Sequence, residues 1–122
     1  MSDLPPAAML PLFAFGTLRR GHRNHHYLDG YYERAVPAIL RGYQRLHELM
    51  IAPQPGGVVD GELFFLDAAD YDDTLSGCDE LEEIPPGRLV GHQYQRKLVS
   101  VETAEGHFQA WAYVQPEAAG DG

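Results

Sequence analysis

This 122-residue sequence predicts an α+β fold on a curved, mostly antiparallel or mixed sheet with few helices. Three observations carry that reading. Strand-like segments outnumber helical ones and do not alternate with them, which argues against a doubly wound arrangement. Residues 94–103 and 107–114 flank Ala104-Glu105-Gly106 as a hairpin, the first arm alternating Tyr94, Arg96, Leu98, Ser100 against Gln95, Lys97, Val99, Val101. One stretch after Asp67 has helical spacing, with Tyr71, Leu75 and Cys78 on one face.

In chain order the elements are strand, loop, strand, strand, helix, long loop and hairpin. Leu10-Pro11-Leu12-Phe13-Ala14-Phe15 is an apolar run ended by Gly16 and fits a buried strand, with Pro11 near its start, where a missing donor is tolerated. Residues 16–21 form a loop with glycine at both ends, and residues 24–28 a short helical turn. Strand-like pieces follow around Ile39, Leu40 and Tyr43, and Gly42 with its flanking arginines leaves their register open. Pro53-Gln54-Pro55-Gly56-Gly57 reads as a turn. The strand at 58–66 then places Val59, Gly61, Leu63 and Phe65 on one face, with Gly61 marking a bulge or a close backbone approach. Asp67 suits the N-cap of a helix running to about Ser76, which Gly77 weakens or ends. Residues 84–91, with Pro85-Pro86-Gly87, form a loop, and residues 117–122 a frayed tail beyond a core of about 10–114.

The length fits one domain. Nine Lys+Arg against 18 Asp+Glu give a net charge of -9, which disfavours a nucleic-acid or anionic-membrane binder. No segment is long and apolar enough to span a bilayer. Residues 1–15 carry Asp3 and no Lys or Arg, unlike a signal peptide, so a cytoplasmic protein is expected. The sequence does not indicate an oligomeric state. Cys78 is the only cysteine, which excludes an internal disulfide and a multi-cysteine zinc site; with acids beside it, it reads as a packed core residue.

Charge is uneven. Arg19, Arg20 and Arg23 crowd together with His22, His25 and His26, whereas residues 60–83 hold acids and no Lys or Arg. These are either two solvated surfaces or two sides of a pocket. The glycine spacing from Gly16 to Gly21 resembles a phosphate loop but lacks its Lys and Ser/Thr. His47-Glu48 lacks a second zinc ligand, since Ile51 stands in its place, and no Gly-x-Ser-x-Gly elbow exists. The three histidines are the one metal-like cluster, and they read mainly as surface or pocket-rim residues. Two features point to chemistry. The amides of Gly16-Thr17-Leu18, at the end of a buried strand, can hold an anion. In Asp79-Glu80-Leu81-Glu82-Glu83, a carboxyl turned inward would have a raised pKa and could act as a general base.

Five short motifs in order make the chain resemble the gamma-glutamylcyclotransferase-like family, in particular its gamma-glutamylamine cyclotransferase-like branch. They are Phe15-Gly16-Thr17-Leu18-Arg19, Gly61-Glu62-Leu63-Phe64, Cys78-Asp79-Glu80-Leu81-Glu82, Tyr94-Gln95-Arg96 and Ala110-Trp111-Ala112-Tyr113. The resemblance implies a small mixed β-barrel flanked by a few helices, with a cavity at one end. It implies a small-molecule gamma-glutamyl substrate whose α-amine attacks its own γ-carbonyl, releasing 5-oxoproline and an amine or amino acid. No metal or organic cofactor is implied. Glu82 matches the catalytic glutamate. Phe15, Gly16, Thr17 and Leu18 match the substrate-binding loop, and Tyr113 matches a tyrosine facing either the cavity or the core. Phe15 stands where the family has Tyr, Cys78 where it has Leu, and Glu83 where many members have Gly, which leaves Glu83 as an alternative base. Arg96 reads as a structural or surface ion pair. A non-catalytic binding or regulatory protein on the same fold is the other function class.

Overall fold

Alternation along the first strand, β1 (Leu12–Ala14), sorts the side chains into two cores. Phe13, with Phe15 just past the strand, enters one; Leu12 and Ala14 enter the other. The computed structural model describes residues 10–47, 50–91 and 93–115. Its remaining strands are β2 (Tyr32–His47), β3 (Met50–Leu66), β4 (Gln95–Thr103) and β5 (Gly106–Val114). The α-helix, α1, spans Tyr71–Leu81, and short 3₁₀ turns lie at His25–Tyr27 and Ala68–Asp70. The strands close into a barrel in the order β1-β3-β2-β4-β5. Neighbours are antiparallel except β1 and β5, which run parallel with Leu12 opposite Trp111. This is the mixed barrel with flanking helical elements that the sequence led us to expect.

Phe13, Leu40, Val59, Leu63 and Val101, each almost fully buried, fill the barrel. Leu12, Phe64, Leu75, Cys78 and Ile84 fill the space between the barrel wall and α1. Each such side chain contributes roughly 1.5–3 kcal/mol when withdrawn from water. Gly61 lies where β1 crosses closest to β3: an added Cβ would stand 2.3 Å from the Ala14 carbonyl oxygen. The close approach read from the sequence is therefore real. No helix among the described residues is long and apolar enough to cross a membrane.

Two local readings are corrected. Pro53-Gln54-Pro55-Gly56-Gly57 does not end a strand, because β3 runs through it. Tyr43 pairs with Pro53 and Arg41 with Val58, so residues 54–57 are surplus opposite the single residue Gly42. The excess is absorbed as a wide bulge by Gly42 and Gly56, both at positive φ, and by Gly57, whose added Cβ would meet the Tyr43 carbonyl oxygen at 2.3 Å. The helix also starts and ends later than expected. Asp67 is extended, makes no side-chain cap bond and precedes only the 3₁₀ turn. Gly77 does not stop α1, since burial of the adjacent Cys78 outweighs a glycine cost of about 1 kcal/mol. The predicted tail falls outside the described residues.

The helix ends in a Schellman motif. The Ile84 N–H donates to the Asp79 carbonyl at 2.9 Å and the Glu83 N–H to the Glu80 carbonyl at 3.0 Å. Glu83 takes the left-handed position at φ 62°, and Ile84 drops into the second core beside Cys78. The motif leaves Glu82 at the point where the helix gives way to the loop.

Candidate active site

Past β1 the chain turns sharply, with the Gly16 carbonyl accepting the Arg19 N–H at 3.1 Å. The turn is pinned by its carbonyls and side chains. Arg45, from β2, donates to the Phe15 carbonyl at 2.7 Å. Asn24 donates its backbone N–H to the Thr17 carbonyl at 3.0 Å and its amide to Thr17 Oγ1 at 2.8 Å. His25 Nδ1 lies 2.9 Å from the Leu18 carbonyl, and its Nε2 lies 3.2 Å from the Tyr32 hydroxyl. Glu62, from β3, accepts the Arg20 amide at 2.8 Å and its Nε at 2.9 Å. Burial pulls the Glu62 carboxyl upward, but the Arg20 bonds and charge outweigh it and hold the group below the usual carboxylate range. With its carbonyls held, the turn leaves the N–H groups of Gly16, Thr17 and Leu18 without a backbone carbonyl partner among the described residues. Such a run of amides is a ready anion site.

This turn forms one wall of a cavity of about 220 Å³. Leu81 at the end of α1, Glu82 just past it, Tyr94 and Tyr113 also line it. Every site residue expected from the sequence lines this one cavity: Phe15, Gly16, Thr17, Leu18, Glu82 and Tyr113. Glu83 is exposed and does not line it.

Glu82 is largely withdrawn from water, and no cation pairs with it among the described residues. Burial pushes its carboxyl up to about 7, with a further push from the Glu83 charge. Burial and then the Glu82 charge raise the Tyr94 phenol to about 12. A carboxyl that changes charge near neutrality, on a cavity that the β1 turn also lines, can pass a proton to or from a ligand held there.

Behind this wall lies a polar network. The Tyr113 hydroxyl donates to Asp79 Oδ1 at 2.7 Å. The Arg96 fork donates to the same carboxylate, Nε to Oδ1 at 2.8 Å and Nη2 to Oδ2 at 3.1 Å. Arg96 also stacks over Trp111, 4.4 Å from its ring centre. Trp111 donates to the Tyr71 hydroxyl at 3.2 Å, which donates to the Leu10 carbonyl at 2.7 Å. Tyr113 thus faces the cavity and the core at once, its phenol raised by burial and by the Asp79 bond. Arg96 is the structural ion pair its surroundings implied.

Other candidates are set aside by their environment. Cys78 is fully buried, and burial with the Asp79 and Glu82 charges pushes its thiol up to about 12. His25 has both ring nitrogens engaged, while His22 and His26 are exposed. Among the described residues no three His, Cys, Asp or Glu side chains gather as a metal site. Sequence reasoning did not single out Asn24 or Tyr94 as wall residues, or Arg45 as an anchor of the turn. The cationic cluster around Arg23 and the Tyr94-Gln95-Arg96 motif were the available signals.

Comparison with known proteins bears on this arrangement. Residues 12–122 match the family described as gamma-glutamyl cyclotransferase, AIG2-like. The gamma-glutamylaminecyclotransferase of Bos taurus is 28% identical over 124 residues, covering 92% of this chain and 69% of the bovine protein. A solution structure from Arabidopsis thaliana superposes with a TM-score of 0.63 at 24% identity, over 87% of this chain and 61% of that one. A solved gamma-glutamyl cyclotransferase superposes with a TM-score of 0.60 at 16% identity, over 88% of this chain and 66% of that one. Both structures share the fold, and this chain spans about two thirds of their length or a little less. With nearly all of its barrel inside the matched region, the chain belongs to the gamma-glutamyl cyclotransferase, AIG2-like family.

Proposed function

We propose that this protein is a cofactor-independent gamma-glutamyl cyclotransferase in which Glu82 is the general acid/base. One observation carries the reading: a carboxyl titrating near 7 opens into the same cavity as the amides of Gly16, Thr17 and Leu18. Those amides hold the substrate's α-carboxylate, which brings the α-amine over the γ-carbonyl. The nucleophile is part of the substrate, so no Ser or Cys is needed. The α-ammonium loses its first proton to solvent. Glu82 takes a second as the new C–N bond closes the five-membered ring. As the γ-carbonyl re-forms, the bond to the leaving nitrogen breaks and Glu82 returns that proton to it. 5-Oxoproline and the free amine depart, and the amine takes up a proton from water.

The test is 5-oxoproline release from a panel of gamma-glutamyl amino acids, gamma-glutamyl amines and ε-linked gamma-glutamyl lysine. Removing a general acid/base typically costs about 10²–10⁴-fold, so Glu82→Gln should lose turnover by that factor. Glu83→Gln should stay within about tenfold of the native protein, since it removes only a neighbouring charge. Loss confined to Glu83→Gln would move the base by one residue. No release from any substrate by folded native protein would leave a binding protein on this fold.

A further inference from the structure

Arg23 is the unusual cation of this molecule. Arg20, Arg34, Arg41, Arg45 and Arg96 each meet a carboxylate, and Arg19 donates to the Gly16 carbonyl. Arg23 has no ion pair among the described residues, in a chain with 18 acids and a net charge of -9. Arg88 shares that condition but lies in the loop after α1, away from the cavity. Arg23 lines the cavity itself, on the same side as the β1 turn. Glu82 lines it too, and no ion pair joins Glu82 to Arg23 among the described residues.

The cavity thus offers two separate places for an anion: the amides of the turn and the Arg23 guanidinium. A gamma-glutamyl conjugate has one α-carboxylate on its glutamyl half, which the amides accommodate. Guanidinium pairs with carboxylate through strong charge-assisted bonds. A second carboxylate in the ligand is the simplest partner for Arg23, and it can come only from the leaving half. We propose that Arg23 binds a carboxylate on the leaving amine, so that the site favours gamma-glutamyl conjugates of amino acids over the same conjugates lacking that group. The inference rests on the cyclotransferase reading for the orientation of the ligand, but the charge pairing can be read from binding alone.

Two ligands test it, gamma-glutamyl-alanine and gamma-glutamyl-ethylamide, which is the same molecule without the leaving-side carboxylate. Their affinities are measured by calorimetry on native and Glu82→Gln protein, each with and without Arg23→Gln, beside 5-oxoproline release by the native enzyme. A charge-assisted bond from the exposed Arg23 is worth about tenfold, so Glu82→Gln protein should bind the alanine conjugate about tenfold tighter than the ethylamide. Arg23→Gln should bring the two within about twofold, mainly by weakening the alanine conjugate, and Arg23→Lys should keep part of the preference. The preference should also shrink as salt rises. Equal weakening of both ligands would assign Arg23 to the glutamyl half and overturn the proposal, as would no weakening of either. If the carboxylate preference follows Arg23 while no 5-oxoproline appears, the pairing stands and the catalytic reading fails. If turnover appears without the preference, the reverse holds. If neither ligand binds, the Arg23 proposal fails, and the cyclotransferase reading is decided by the wider substrate panel.

Discussion

Asp79 lies in the last turn of α1 and Glu82 directly follows its end, three positions on, yet their surroundings differ. Asp79 accepts the Arg96 fork and the Tyr113 hydroxyl, and its partners tie the helix end to β4 and β5. Glu82 faces the cavity with no cation paired to it among the described residues, and burial pushes its carboxyl up to about 7. The same chemical group is a structural anchor in one place and, on the proposed reading, the proton-transfer group in the other. The difference lies in the elements that reach each position: β4 delivers Arg96 and β5 delivers Tyr113 to Asp79, whereas Glu82, at the Schellman turn, lines the cavity that the β1 turn also lines.

The largest effect that could break this contrast is catalytic: Glu82→Gln should lose about 10²–10⁴-fold in turnover without loss of fold. If the protein unfolds instead, Glu82 is an anchor like Asp79. Next in size is the anchor. Arg96 and Asp79 are mostly buried, with side-chain exposures of 13% and 15%. Arg96→Met strands a buried carboxylate and should lower stability by about 3 kcal/mol, seen as a fall in the urea midpoint. Asp79→Asn added to Arg96→Met should restore part of that loss, because the stranded charge is gone. A double variant no more stable than the single would mean that packing on Trp111, rather than charge, dominates the anchor.

A smaller effect comes from proton linkage. The Glu82 carboxyl titrates near 7 in the folded protein and near 4.5 unfolded, so the native state holds more protons between those values. Stability then falls as pH rises through that window, on the order of 2 kcal/mol once partial exposure is discounted. Glu82→Gln lacks the charge and should match the native protein at about pH 4 but exceed it in urea midpoint at about pH 8. A constant difference across that range would show that the Glu82 charge is well solvated.

Much of this was legible in the sequence, and what was not has physical reasons. The hairpin of β4 and β5 and the buried face Tyr71, Leu75, Cys78 follow from local periodicity, which one segment can specify by itself. The Gly16-Thr17-Leu18 amides and an inward carboxyl among residues 79–83 were suggested locally, but Phe15, Glu82 and Tyr113 were joined to them only through ordered motifs, since nothing local says that residues 82 and 16 line one cavity. Arg45 and Glu62 pin the turn through contacts set by barrel closure, and Asn24 through a loop contact seven residues on. The bulge at residues 54–57 was misread because Pro and Gly mark any interruption of regular pairing, whether or not the strand resumes. The position of Glu83 was visible as a departure from glycine, but its consequence needed the backbone geometry.

That consequence is the smallest effect and the one that best separates geometry from charge at the Glu82 site. Glu83 occupies the left-handed position after α1 at φ 62°, which costs an L-residue about 1 kcal/mol and glycine almost nothing. Its charge also adds to the upward push on Glu82. Glu83→Gly removes both strain and charge, while Glu83→Gln removes the charge alone. At about pH 4, where Glu82 is mostly protonated folded or unfolded, Glu83→Gly should raise stability by roughly 0.5–1 kcal/mol and Glu83→Gln should not. Without the neighbouring charge Glu82 ionises more easily, so the rising limb of kcat/KM against pH should move to lower pH in both variants. A shift in Glu83→Gly alone would make backbone position the cause, and a shift in neither would leave burial as the only influence on Glu82.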